Sequence, residues 1–554
     1  MSKKYTIGLD YGSLSGRGVL VDVANGSVLC EAVLEYPHVF LNAMPDGTAL
    51  EGEWVLQHPQ DYLQVLYTVV PKLLADSGIK PEQVVGICLD STASTVVPLR
   101  DGKPLCLEPE FENHPHAWVK LWKHHGAKPQ AEMIQQVCRE QGRPYPQWYG
   151  GIISQECLLS KVLETFFRDR AVFDAADCFM EMGDYLTSLL VGRPAFAVSM
   201  LSAKAFWCKE TGYPDNEFFT AIHEDLKDLP KRKLMDRFPD AVYGYPGERA
   251  GVLCEEMAKK LGLCPGIAVG FPQMDAYAAV PALGIAEPEV MMLMAGTSTA
   301  ELLLSREFAM VEGVTACLPD TFYQGLWGYA SGQASVGDCF QWFVDNCVPE
   351  SYAKAAREKG MSLHTYLTDL AAPLEIGATG LVALDWFNGN KSILADSRLS
   401  GMILGLTIHT KPEHIYRALL EATAFGCREI LEAYTAVGVP IREIVACGGI
   451  ANKNPFMMQM YADVLGKPIR VSRNTQAAAL GAAIMAAAAA EGVKLEAAVD
   501  RMADRESKLY LPDPARQAAY EKLYREYARL HDYFGRGENP IMAHLTNRKM
   551  QISQ

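Results

Sequence analysis

Tyr5-Thr6-Ile7-Gly8-Leu9-Asp10-Tyr11-Gly12-Ser13 is an apolar, β-prone run that breaks into small polar residues just after a carboxylate. Val290-Met291-Met292-Leu293-Met294-Ala295-Gly296-Thr297-Ser298-Thr299 makes the same transition in the second half, with Gly296 standing where Gly12 stands. Outward from the first run, Gly18 to Val23 reads as a returning strand, Asn25-Gly26 as the hairpin dipeptide that tolerates positive φ, and Val28 to Tyr36 as a third strand. After His58-Pro59, apolar Tyr62, Val65, Leu66, Val69, Val70, Leu73 and Leu74 recur at helical spacing until Ser77-Gly78. Val84 to Leu89 is then a continuous apolar run, as in a strand buried on both faces. Outward from the second run come a returning strand, Ala300 to Leu304, a helix from Pro412 to Tyr434 and a buried strand, Ile444 to Cys447, broken by Gly448-Gly449. The order β-β-β-α-β followed by its restart predicts an α/β protein of two similar lobes, 1–265 and 266–554, with the ligand in a cleft between them.

Composition narrows the function. Across 554 residues, 49% are hydrophobic and 21% charged, so the chain can bury large cores. A net charge of −15 disfavours nucleic acid and anionic membrane as main partners, while a compact anion such as a nucleotide is still bound locally by backbone N–H groups and a metal ion. The uncharged run Asn474 to Ala490 is shorter than a bilayer span and reads as a buried helix. Fourteen cysteines without C-x-x-C spacing read as reduced thiols of a cytoplasmic protein. Pro514 to Phe534 carries an aromatic stripe at helical spacing, which reads as core packing.

Four places could carry chemistry. Asp10-Tyr11-Gly12-Ser13 lacks a dinucleotide fingerprint, and a carboxylate beside phosphates implies an intervening cation. Asp10 is thus a metal-side candidate for Mg²⁺, with the Gly12 and Ser13 amides facing phosphate. The hydroxyl-rich turn Gly296-Thr297-Ser298-Thr299 offers a second anion cradle, although both turns are also adequate as plain hairpins. Asp275, among small apolar residues, either caps the helix beginning there or serves as a general base. Cys447-Gly448-Gly449-Ile450-Ala451-Asn452 lets a flat purine approach the backbone, or is simply a strand-to-helix turn.

Together these pieces resemble the FGGY carbohydrate kinases, over nearly the whole chain. The resemblance rests on Gly8 to Ser13, on Trp118-Val119-Lys120-Leu121-Trp122-Lys123, on Leu384-Asp385-Trp386-Phe387-Asn388-Gly389-Asn390 and on Asp532-Tyr533-Phe534-Gly535-Arg536-Gly537. Gly401 to Leu406, His414-Ile415 and Ala418 to Glu421 resemble the family's C-terminal signature, with Leu419 a departure. The resemblance implies two actin-like (RNase H-like) lobes with ATP and sugar in the cleft. It implies phosphorylation of the terminal hydroxyl of a ketopentose, L-ribulose before others, with ATP and Mg²⁺. Asp275 would be the base, Lys204 and the backbone of Ala93 would hold the sugar, and Asp10 would be the metal-side acid. Gly12, Ser13, Thr297, Gly337, Gln341, Gly449 and Asn452 would contact the nucleotide. The implied partners are a small sugar and ATP, with a homodimer as an option. A non-catalytic actin-like nucleotide switch is the alternative from another class. Two departures bear on specificity. Where the ribulose-phosphorylating branch has glutamate in a G-x-E-A-G-Q stretch, this chain has Ala330, with Tyr329 or Ser331 available to take over the contact. Tyr277 stands where that branch has histidine.

Overall fold

The computed structural model describes residues 3–553, with side chains as far as 548. The chain forms two compact units, Met1–Ala286 with Leu318–Gly328 and Gln476–Asp504, and Glu287–Cys317 with Tyr329–Thr475 and Arg505–Gln554.

In the first unit, β1 (Tyr5–Tyr11), β2 (Ser15–Asp22) and β3 (Val28–Glu35) are followed by helix α1 (Pro59–Ser77) and β4 (Val84–Ser91). β1 runs antiparallel to β2 and parallel to β4, which sets Asp10 opposite Arg17 on one side and level with Asp90 on the other. The sheet continues past β4 to Ala268–Gly270 and Arg249–Val252. α1 starts at the His58 cap, whose ring accepts the Gln60 N–H, and stops at Gly78 in the left-handed conformation. Its apolar stripe, Tyr62, Val65, Leu66, Val69 and Leu73, is fully buried.

The expected single cut after residue 265 gives way to a threaded boundary, and the alanine run explains it. The helix Ala477–Glu491, buried from Ala479 to Ala489, packs on β1 and β4 of the first unit. A side chain at Gly8 would collide with the Ala479 carbonyl, and Thr6 donates its hydroxyl to the Ala483 carbonyl at 2.9 Å. On its other side, Gly481 touches the backbone of helix α2 (Asp275–Ala282) at Ala278. Alanine and glycine at most positions let the helix lie against strand and helix backbones alike, with Leu480, Ile484 and Met485 as its large buried side chains.

In the second unit, β5 (Val290–Ala295) is antiparallel to β6 (Thr299–Ser305) and parallel to β7 (Glu443–Cys447), the relation that β1 has to β2 and β4. The sheet extends beyond β7 to Ile469–Ser472 and Ser507–Tyr510, and beyond β6 to Trp327–Ser331. Three helices, Gly337–Cys347, Glu350–Glu358 and Leu363–Ala371, intervene before the long helix Pro412–Ala436, so the restart repeats the sheet order without repeating the spacing. The aromatic stripe of Pro514–Gly535 is core, as its pattern indicates: Tyr520, Tyr524 and Tyr527 are buried around Phe425. All fourteen cysteines are free, and no helix among the described residues is long and apolar enough to cross a membrane.

Candidate active site

Three carboxylates meet at the C-terminal ends of adjacent parallel strands in the first unit. Asp10 is the last residue but one of β1, and Asp90 lies level with it on β4. The short strand Gln273–Met274 pairs with β4 at Asp90 and Ser91, which brings Asp275, the first residue of α2, to the same edge. Met274, not Asp275, occupies the cap position, so the capping alternative does not hold. Asp275 instead accepts the N–H of Ala276 at 2.7 Å.

Burial and the neighbouring charge of Asp10 push the Asp275 carboxyl up to about 6, against the pull of the Ala276 N–H and the Lys204 ammonium. Asp90 is fully buried, and no donor among the described residues reaches either of its oxygens. It faces the carboxylate of Asp10, so the two are bonded only when one holds a proton. Burial, then the charge of Asp10, raises Asp90 well above its ordinary value. Asp10 is also raised by burial, offset by its bond to Asp90 and by Arg17, whose Nε lies 3.3 Å from Asp10 Oδ2 without hydrogen-bond alignment. Arg17 and Lys204 are the cations beside these acids, and the three carboxylates do not converge closely enough to form a ready cation cage, so of the three only the strand-end Asp10, beside the Ser13 turn, is placed to serve a hard cation that brings its other ligands with it.

Lys204 stands in the last turn of the helix Val198–Ala205, half-buried, with Tyr149 donating to the Ala203 carbonyl at 2.9 Å just before it. Ala93 is half-buried in the turn that leaves β4, beside Ser94, which takes φ of 61°. Ser13 is held twice. Gln57 Nε2 donates to its carbonyl at 2.8 Å, and Trp122 Nε1 donates to its hydroxyl at 3.0 Å, leaving the hydroxyl hydrogen to donate elsewhere. One expectation is corrected here: the Gly12 amide does not face outward but closes the hairpin on the Ser15 carbonyl at 3.0 Å.

In the second unit, Thr297, Gly337 and Gly449 are brought to one place. Gly337 N–H donates to the Gly296 carbonyl at 3.1 Å, and Val336 and Asp338 N–H both donate to the Thr297 carbonyl. Gly448, at φ of 99°, packs directly on the backbone of Ala295, so the glycine pair lies against the end of β5. Gln341 is one turn beyond Gly337 on the helix Gly337–Cys347, exposed, and tied to Asp345 and His364. Asn452 is exposed on the short helix Gly449–Lys453 and returns its side-chain amide to the Gly448 carbonyl at 3.2 Å. Behind the turn, Thr299 donates its hydroxyl to buried Glu301 at 2.7 Å.

The description "FGGY family of carbohydrate kinases, C-terminal domain" matches residues 291–490. The chain is 43% identical over 557 residues to a ribulokinase of Anoxybacillus flavithermus, covering 99% of this chain and 98% of that one. The chain belongs to the FGGY family of carbohydrate kinases. This FGGY kinase is also 44% identical to a ribulokinase of Shouchella clausii, over 98% of its own length and 97% of the relative's. In fold it is similar to the gluconate kinase of Lactobacillus acidophilus, with a TM-score of 0.79 at 19% identity over 97% and 99% of the two chains, so it has the two-lobe actin-like fold. As a carbohydrate kinase it is a phosphotransferase with an alcohol group as acceptor and ATP as a substrate, and the non-catalytic switch is not favoured.

Sequence reasoning passes over Asp90 in this kinase, because the apolar run Val84 to Leu89 reads as a strand that stops one residue short of it. The strand-end position shared with Asp10 is the signal that would have found it. The departures are also placed. Ala330 is buried in the strand Trp327–Ser331. Tyr329 is engaged with the backbone of Ala309, and Ser331 with Tyr434 and the Glu301 carbonyl, so both hydroxyls serve the core. Tyr277 stacks on Phe322 with ring centroids 4.2 Å apart.

Proposed function

We propose that this kinase transfers the γ-phosphoryl group of ATP to the terminal hydroxyl of L-ribulose, giving L-ribulose 5-phosphate and ADP. The observation that carries the proposal is Asp275, a carboxyl raised to about 6 at a helix start, under the charges of Lys204 and Asp10 and two residues past the strand position level with Asp90. Its similarity to curated ribulokinases over the full length supports the choice of sugar.

In this reading Lys204 and the backbone of Ala93 hold the ketopentose, and Asp275 removes the proton of its terminal hydroxyl. The freed oxygen bonds to the γ-phosphorus as the bond from that phosphorus to the β–γ bridging oxygen breaks, and ADP leaves with the electron pair. Ser13, through the hydroxyl hydrogen that Trp122 leaves available, and Thr297, with an exposed hydroxyl, contact phosphate oxygens. Gly337, Gln341, Gly449 and Asn452 complete the nucleotide contacts. Asp10, backed by Asp90, would hold Mg²⁺, which neutralises phosphoryl charge when bound. A cytoplasmic location, the absence of nucleic-acid and membrane partners, and a homodimer as an option belong to the same reading.

The test is a panel of the four ketopentoses with ATP, read as ADP release. The highest kcat/KM belongs to L-ribulose. Absence of turnover with every ketopentose would overturn the assignment. Ala330→Glu addresses specificity in the same assay: since neither Tyr329 nor Ser331 is free to replace the missing carboxylate, the variant improves discrimination for L-ribulose by roughly tenfold, the worth of one charge-assisted hydrogen bond.

A further inference from the structure

Lys161, in the helix Leu158–Arg168, has no exposed surface. Its ammonium donates to the Ser94 carbonyl at 2.6 Å and the Leu121 carbonyl at 2.7 Å, with the Lys120 carbonyl at 3.5 Å. Burial lowers its pKa, opposed by the charges of Glu156 and Glu181. Neighbouring Lys120 is different: it pairs directly with Glu164 at 2.7 Å. Burying an ammonium on neutral carbonyls is expensive compared with an apolar side chain of similar volume, so its presence asks for a use beyond packing.

What the ammonium joins gives that use. Ser94 adjoins Ala93 in the turn leaving β4 and adopts a left-handed φ of 61° without being glycine. The same turn is fixed on its far side by Glu181, which accepts the Thr95 N–H at 2.9 Å, and across its mouth by the Thr92 and Thr95 hydroxyls at 2.8 Å. Leu121 precedes Trp122, the residue that holds the Ser13 hydroxyl. The Leu121 segment has anchors of its own, since Leu121 N–H donates to the Val55 carbonyl at 3.1 Å and His124 N–H to the Leu121 carbonyl at 2.9 Å, so loss of the buried charge falls on the Ser94 side.

We propose that Lys161 is a positioning residue for sugar binding, setting the backbone of Ala93 through its bond to the Ser94 carbonyl, with Glu181 as its counterpart on the other side of the turn. This rests on the reading that Ala93 contacts the sugar. The experiment uses the full chain and three proteins: wild type, Lys161→Met/Glu181→Gln, which leaves neither buried charge alone, and Lys161→Gln, which keeps one neutral donor for a carbonyl. KM for L-ribulose, KM for ATP and the thermal midpoint are measured on each. The double variant raises the L-ribulose KM at least tenfold while the ATP KM changes less than threefold, and Lys161→Gln falls between it and wild type. An unchanged sugar KM in the double variant overturns the proposal. So does a parallel rise of both KM values in step with a lower midpoint, which is general loosening. If the double variant does not fold, Lys161→Gln is judged by the same criteria. Absence of ketopentose turnover in wild type removes the functional reading itself and this proposal with it, whereas normal wild-type turnover with an indifferent variant removes only this proposal.

Discussion

The hairpin joining β1 to β2 closes with the Gly12 N–H on the Ser15 carbonyl, and the one joining β5 to β6 with the Gly296 N–H on the Ser298 carbonyl, both at 3.0 Å. Around that shared bond the two turns are supported differently. The first is pinned by side chains, Gln57 on the Ser13 carbonyl and Trp122 on its hydroxyl, and carboxylates stand beside it. The second is pinned by backbone: the amides of Val336, Gly337 and Asp338 converge on the Gly296 and Thr297 carbonyls, and Gly448 rests on Ala295. A turn held by side chains is adjustable one group at a time. A turn held by backbone is stiff, and its tolerance to change is decided by whether a Cβ fits.

The largest expected effect separates chemistry from binding. Asp275→Asn lowers kcat by at least about 10²-fold, as loss of a general base does, while calorimetry shows ADP affinity nearly unchanged. Retained turnover in that variant would remove Asp275 from the chemistry.

Next is the steric contrast. Gly448 has φ of 99° and ψ of 167°, and a Cβ there would collide with the Ala295 carbonyl. Gly448→Ala is thus strained by about 1–3 kcal/mol and weakens ADP binding by roughly tenfold or more. At Gly12 a Cβ would meet only the Ser15 carbonyl at 3.4 Å, so Gly12→Ala leaves ADP affinity within about threefold. Equal penalties at the two positions would contradict the account of the second turn as the stiffer.

A third experiment looks beneath the second turn. Burial pushes the Glu301 carboxyl up to about 7 from its ordinary 4.5, partly offset by the Thr299 hydroxyl and the Lys391 charge. A raised folded-state pKa means the folded protein binds the proton more tightly than the unfolded chain. Stability therefore falls as pH rises from 4.5 through 7, by about 3 kcal/mol at most. Glu301→Gln keeps an acceptor for Thr299 and removes the charge, so its thermal midpoint matches wild type near pH 5 and exceeds it by a few degrees at pH 8. Parallel pH profiles for the two proteins would refute the raised carboxyl.

The smallest effect concerns the first turn alone. Trp122→Phe keeps the ring and deletes one hydrogen bond to Ser13, worth about 1 kcal/mol, so the ATP KM rises about fivefold without a change in the pH profile.

Much of this was legible in the sequence because it rests on local pattern. The two strand-and-turn pairs, α1 with its glycine stop and the aromatic stripe of Pro514–Gly535 all follow from periodicity and turn chemistry. What was not legible depends on register and on close approach. Asp90 becomes interesting only when parallel pairing sets it beside Asp10. The alanine helix was legible as buried, but its membership of the first unit depends on Gly8 and Gly481 admitting backbone against backbone, which leaves no periodic trace. Lys161 and Glu181 are charged residues with nothing in their neighbours' order to say that they are inside. The outward-facing Gly12 amide failed for a simpler reason, since a tight hairpin uses its own first N–H.

The alanine helix also sets the order in which the molecule can be made. Residues 477–491 leave the ribosome long after β1 and β4, yet they cover the groove at Gly8 and Gly86 and back the helix that carries Asp275. A nascent first half has its sheet sequence complete but one wall missing, with apolar strand surface waiting for a segment still to be synthesised. Maturation of the acid cluster is thereby coupled to the synthesis of residues 477–491, and a fragment ending at Ala286 would carry Asp10, Asp90 and Asp275 without the support that aligns them.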